Sequence, residues 1–159
     1  MEARGCSSAD WQHAGCRTNG SLDEALRLAP TLTPALFREV MQNAGARFLS
    51  LDQSGQATRI DRFIGSRAWM DAAFALIELA VPKWSIRRIV QADAEWHCLL
   101  SQQPNLPIEL DDAAEASHEV LPLAILRAFI AARRRDAVAP VPQIRPASDA
   151  FVHCCDNYL

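Results

Sequence analysis

Lysine is almost missing from this 159-residue chain, with Lys83 alone against fifteen arginines. Arginine codons are GC-rich and lysine codons are not, so the bias describes a GC-rich bacterial coding background rather than a function. Glycine stops at Gly65, which excludes a glycine-built phosphate cradle later in the chain. No G-x-S-x-G, H-E-x-x-H or dinucleotide fingerprint occurs either. No apolar run reaches the roughly 18–20 residues that a membrane-spanning helix needs. The segment Met1 to Gly20 carries no positive cluster ahead of an apolar stretch, so the expectation is a cytoplasmic protein. A net charge of −3 gives no basic excess and argues against a nucleic-acid binder. Five cysteines, an odd number mostly placed in expected tails, do not make a disulfide framework.

What is present is a large apolar fraction. Half the residues are hydrophobic and 22% are charged, enough for one folded core with tails. Ser21 with Glu24 fits a capping box for a short helix stopping at Pro30. Thr33-Pro34 predicts an N-cap with proline at the first helical position, and Gly45 a stop. Arg47 to Leu51 fits a short strand, and Asp52 to Thr58 a polar loop. Ser66 is positioned to cap a helix carrying Trp69, Met70, Ala73, Phe74, Ile77 and Ala80, ended by Pro82. Two runs, Trp84 to Val90 and Glu95 to Ser101, then predict a β-hairpin. Their connection has no glycine, so a loop longer than a tight turn is expected. A last helix starts near Pro122 and ends in Arg133-Arg134-Arg135, cations that suit its dipole.

The predicted class is therefore α+β: a central β-hairpin or small antiparallel sheet flanked by helices in α-β-β-α order. Extra N-terminal helices precede it and a proline-rich C-terminal tail follows. The expected divisions are a disordered tail over 1–20, a helical extension over 21–58, the α-β-β-α domain over 59–135 and a flexible tail over 136–159. Either long helix has the length to cover one face of the hairpin.

Several short signatures in the central stretch carry a resemblance. They are Asp71-Ala72-Ala73 with Leu76, Pro82-x-Trp84, Arg87-Arg88, Glu95-Trp96 and Leu121-Pro122-Leu123-Ala124-Ile125. On these, residues 59–135 resemble the small α-β-β-α domain of uncharacterised bacterial and prophage proteins, the phage ABA sandwich. The segment Glu95-Trp96-His97-Cys98 is also similar to one in hypothetical proteins of soil bacteria. The resemblance implies a fold and a bacterial or mobile-element setting. It brings no activity and no site residues.

Residue chemistry offers three candidates. Adjacent His97 and Cys98 suggest a thiol and its base, but successive strand residues point to opposite faces. Alternation groups Cys98 with Trp96 and Leu100 on a core face, which leaves His118 as the nearest other histidine. Cys6, His13 and Cys16, with His153, Cys154 and Cys155, are zinc-type ligands without the paired spacing of a zinc ribbon. Seven acids and no lysine or arginine lie between Asp93 and Glu119, flanked by basic stretches. Such asymmetry marks either binding faces or internal ion pairs. The paired Asp111-Asp112 fits a helix start. No catalytic, cofactor or metal residue is assigned. A non-enzymatic binding or accessory module is expected, able to form a homo-oligomer or take a protein partner through a sheet edge. The alternative is a small thiol- or metal-dependent enzyme using Cys98, His97 or His118.

Overall fold

The computed structural model describes residues 19–44 and 54–138. The expected strand Arg47–Leu51, the Gly45 stop and nearly all of both expected tails lie outside the described residues. Within them the protein is α+β, with five α-helices and a three-stranded antiparallel sheet.

Helix α1 (Asn19–Leu28) buries Leu22 and Leu26, one turn apart, and sets a Glu24–Arg27 ion pair on its outer face. It starts earlier than expected, so Ser21 stands inside its first turn rather than at a cap. Helix α2 (Pro34–Asn43) begins as the sequence predicts. Thr33 is extended, its hydroxyl accepts the Leu36 N–H at 3.2 Å, and Pro34 opens the helix.

Helix α3 (Ser54–Gly65) occupies much of the stretch expected to be a polar loop. Its polar residues face outward while Ile60 and Ile64 enter the core. Only that pair signals it, too little periodicity for detection by pattern. The expected boundary at 58/59 falls inside this helix. Ser66 ends α3 instead of capping the next helix, its hydroxyl donating to the Arg62 and Phe63 carbonyls. Arg67 follows at φ 58°, and the Arg67 and Ala68 N–H groups donate to Ile64 and Phe63. That is a Schellman closure with arginine where glycine is usual.

Helix α4 (Trp69–Ala80) is buried along most of its length. It leads into β1 (Ser85–Ala92) and β2 (Glu95–Ser101), an antiparallel hairpin. The connection is two residues, shorter than expected: Ala92 pairs with Glu95 across Asp93 (φ 51°) and Ala94 (φ 66°). Two consecutive left-handed residues make a type I′ turn, whose twist matches that of the strands even without glycine. After a 3-10 turn (Ile108–Leu110) comes a strand absent from the sequence expectation, β3 (Ala114–His118), pairing with β2. Asp111 and Asp112 thus precede a strand and not a helix. Sheet order is β1-β2-β3.

Helix α5 (Leu121–Val138) packs on β2 and β3, with α1 and α4 against its other sides. Leu123, Ala124, Ile125 and Leu126 are all buried. Four consecutive residues sweep most of a helical circumference, so α5 is enclosed all round at this level. One sheet face is therefore covered. Among the described residues no helix covers the other, although both long helices had the length to do so.

Candidate functional site

The thiol candidate comes apart in the structure. Cys98 lies fully buried on the covered face, and burial pushes its thiol up to about 12. A thiol so placed stays protonated at neutral pH and is not a nucleophile. His97 projects to the opposite face, where its Nδ1 lies 3.8 Å from a Glu115 carboxylate oxygen. His118 shares the Cys98 face but sits opposite Trp96, and its Nδ1 accepts the Val120 N–H at 2.9 Å. No thiol–imidazole pair results. Among the described residues there is also no cluster of three or more His, Cys, Asp or Glu side chains able to hold a metal. Cys6, His13, Cys16, His153, Cys154 and Cys155 lie outside the described residues.

A polar cleft of about 390 Å³ collects Arg27, Arg127, Glu95, Ser117, His118 and Glu119. Its cations are already engaged. Arg27 holds Glu24 through two contacts, at 2.6 and 2.9 Å, and Arg127 holds Asp23 at 3.1 Å and the Ser117 carbonyl at 2.5 Å. The cleft is a structural joint between α1, α5 and β3.

The charge asymmetry of the sequence resolves in the same manner. The acidic segment folds back onto basic ones: Arg87 meets Asp111 at 2.5 Å, and Arg135 meets Asp112 at 3.3 Å. The Asp111 carboxyl is held below the usual carboxylate range, first by the Ser101 hydroxyl and then by the Arg87 guanidinium. Arg87 is the extra residue of a β-bulge between Ile86 and Arg88. From there it also donates to the Leu106 carbonyl at 2.5 Å. One side chain thus ties the whole β2–β3 connection to the start of β1.

The two sheet edges differ. Counting from the I′ turn, alternate main-chain groups of each strand point toward or away from its neighbour. On β3 the outward residues are Ala113, Glu115 and Ser117. Arg135 donates to the Ala113 carbonyl and Arg127 to the Ser117 carbonyl, so two guanidinium groups of helix α5 occupy both ends of this edge and block it, while the Glu115 main chain between them has no partner among the described residues. On β1 the outward residues are Ile89 and Gln91. Among the described residues neither main chain has a partner across that edge.

Next to the open edge lies the uncovered sheet face. Arg88, Val90, Ala92, His97, Leu99 and Glu115 line a shallow groove of about 270 Å³, with Ile108 at its side. The connection held by Arg87 exposes Leu106, Ile108 (51%) and Leu110 (71%). An unpaired strand beside exposed aliphatic side chains has the geometry that strand addition requires, main-chain groups for the bonds and a groove for side chains. The sequence pointed to a sheet edge. It did not say which one, because the arginines that close β3 come from a helix ten or more residues away.

Comparison with known proteins adds no identity: no family model, no curated protein and no solved structure matches the chain.

Proposed function

We propose that this protein is a non-enzymatic binding module that takes an extended segment onto the β1 edge. The observation carrying the proposal is the contrast between edges: β3 is blocked by Arg127 and Arg135, and β1 has no partner at Ile89 and Gln91 among the described residues. The groove over Val90 and Leu99, with Ile108 beside it, supplies side-chain selectivity. A bacterial or mobile-element accessory role suits the arginine-biased coding and the α-β-β-α resemblance, and belongs to the same proposal. The alternative thiol enzyme loses support from the burial of Cys98 and from the separation of His97 and His118 from it.

The test uses Ile89→Pro. The Ile89 N–H points away from β2, so proline there removes no bond within the folded chain. Random peptides displayed on phage are selected against the full-length protein, then counter-screened on the proline variant. Binders lost on Ile89→Pro are expected. Binders indifferent to it, or no binders to a chain that is monomeric under the selection conditions, would sink the proposal.

A further inference from the structure

We infer that the segment taken by the β1 edge is β1 of a second copy of this chain, antiparallel about a two-fold axis at Val90. The inference rests on the strand-addition reading above and names its partner.

Main-chain complementarity comes first. Ile89 and Gln91 are the outward residues of β1 and flank Val90 symmetrically. A two-fold axis at Val90 sets Ile89 of each copy opposite Gln91 of the other, so every outward N–H meets an outward carbonyl without a register slip.

Side chains across the seam agree with it. Val90 meets Val90 of the second copy on the uncovered face, an apolar pair. Arg88 falls opposite Ala92 of the second copy, next to that copy's Asp93. Arg88 and Asp93 are exposed, and neither has a partner among the described residues. β1 is basic near its start, at Arg87 and Arg88, and ends beside two acids, Asp93 of the turn and Glu95 opening β2. Antiparallel pairing lays each basic end against an acidic one, whereas parallel pairing would set like against like.

Area is the remaining requirement. Stable pairs bury roughly 1,000 Å² or more, beyond what so short a strand supplies alone. The exposed aliphatic connection is tied by Arg87 to the start of β1 and so stands beside the end of the second copy's β1. Ile108 is placed to extend over that copy's Ala92, enlarging the contact with apolar surface. The product is a continuous sheet through both molecules, ordered β3-β2-β1-β1-β2-β3, whose two ends are the arginine-blocked β3 edges. At each end the Arg127 and Arg135 side chains stand in the way of a further strand, which disfavours propagation into a fibre.

The experiment is sedimentation equilibrium of the full-length chain over the micromolar range, with amide hydrogen exchange at Ile89 and Gln91. A dimer with both amides protected is expected. Ile89→Pro and Val90→Asp should return it to monomer with unchanged far-UV circular dichroism. Arg88→Asp and Asp93→Arg should each weaken self-association about tenfold, since each places two symmetry-related like-charge contacts. Mixing those two variants should restore a heterodimer, because both contacts become attractive. A monomer whose Ile89 and Gln91 amides exchange freely would overturn self-pairing and leave the open edge standing. A monomer with those amides protected would overturn both, because the chain would be covering its own edge. A dimer indifferent to all these substitutions would place the interface elsewhere and end the proposal.

Discussion

Ala94 holds φ at 66° in the hairpin turn, where its Cβ crowds the backbone and only glycine sits without cost. The I′ geometry is kept because the strands on either side pay out their pairing only with that turn. Ala94→Gly is therefore expected to stabilise the fold by about 1 kcal/mol, read as a higher urea midpoint at unchanged m. Arg67, at φ 58° in the Schellman closure of α3, invites the same substitution. Cys98 behaves as a small core residue. Iodoacetamide should leave it unmodified in the native protein at neutral pH and label it on unfolding, as its thiol is pushed up to about 12 by burial. Cys98→Ser should destabilise by about 1–3 kcal/mol, because a hydroxyl replaces a thiol in apolar surroundings. Reactivity in the folded state would reopen the thiol enzyme.

At the scale of elements, single arginines fix whole segments. Arg87 ties the β2–β3 connection through Asp111 and Leu106. Because the folded Asp111 carboxyl lies below its ordinary value of 3.8, the stability it confers is complete above that value and is lost as pH falls through the lowered one. Asp111→Asn should therefore lower stability at neutral pH and flatten its decline below about pH 4, measured by thermal unfolding across pH. Arg127 joins α5 to Asp23 of α1 and to the Ser117 carbonyl of β3. Arg127→Ala leaves the Ser117 carbonyl without its donor and Asp23 with Arg134 alone, at 3.8 Å, and about 1–2 kcal/mol of stability should go with it in urea unfolding. The arginine triplet that suits the α5 dipole serves three separate ties: Arg133 to Asn43, Arg134 to Asp23 and Arg135 to Asp112.

For the whole molecule the consequence is asymmetry among the described residues, one edge of the sheet blocked by arginines and one without a partner. Replacing Arg127 and Arg135 together by alanine should uncover β3 as a second pairing edge. Light scattering would then show growth beyond the size of the wild-type particle, which open pairing at both ends of a sheet produces. A double variant no larger than wild type would mean that the arginines do not guard that edge. The enclosure of α5 by the sheet on one side and helices on the others explains why the N-terminal helices and the sheet share a core running from Leu22 to Ala132.

The sequence by itself determined the α+β class, the Thr33 cap, the hairpin strands, the terminal helix and the core-facing set Trp96, Cys98 and Leu100. These follow from local periodicity and capping chemistry, which need only neighbouring residues. Tertiary structure decided the rest. The strand Ala114–His118 is polar and short, with no β-pattern of its own, and forms because β2 offers an edge and α5 a lid. Helix α3 exists because Ile60 and Ile64 find a core to enter. The two-residue turn at Asp93-Ala94 is imposed by strand register over local preference. The candidate site belongs to this second group, since which edge is blocked depends on arginines that reach β3 only after α5 has packed.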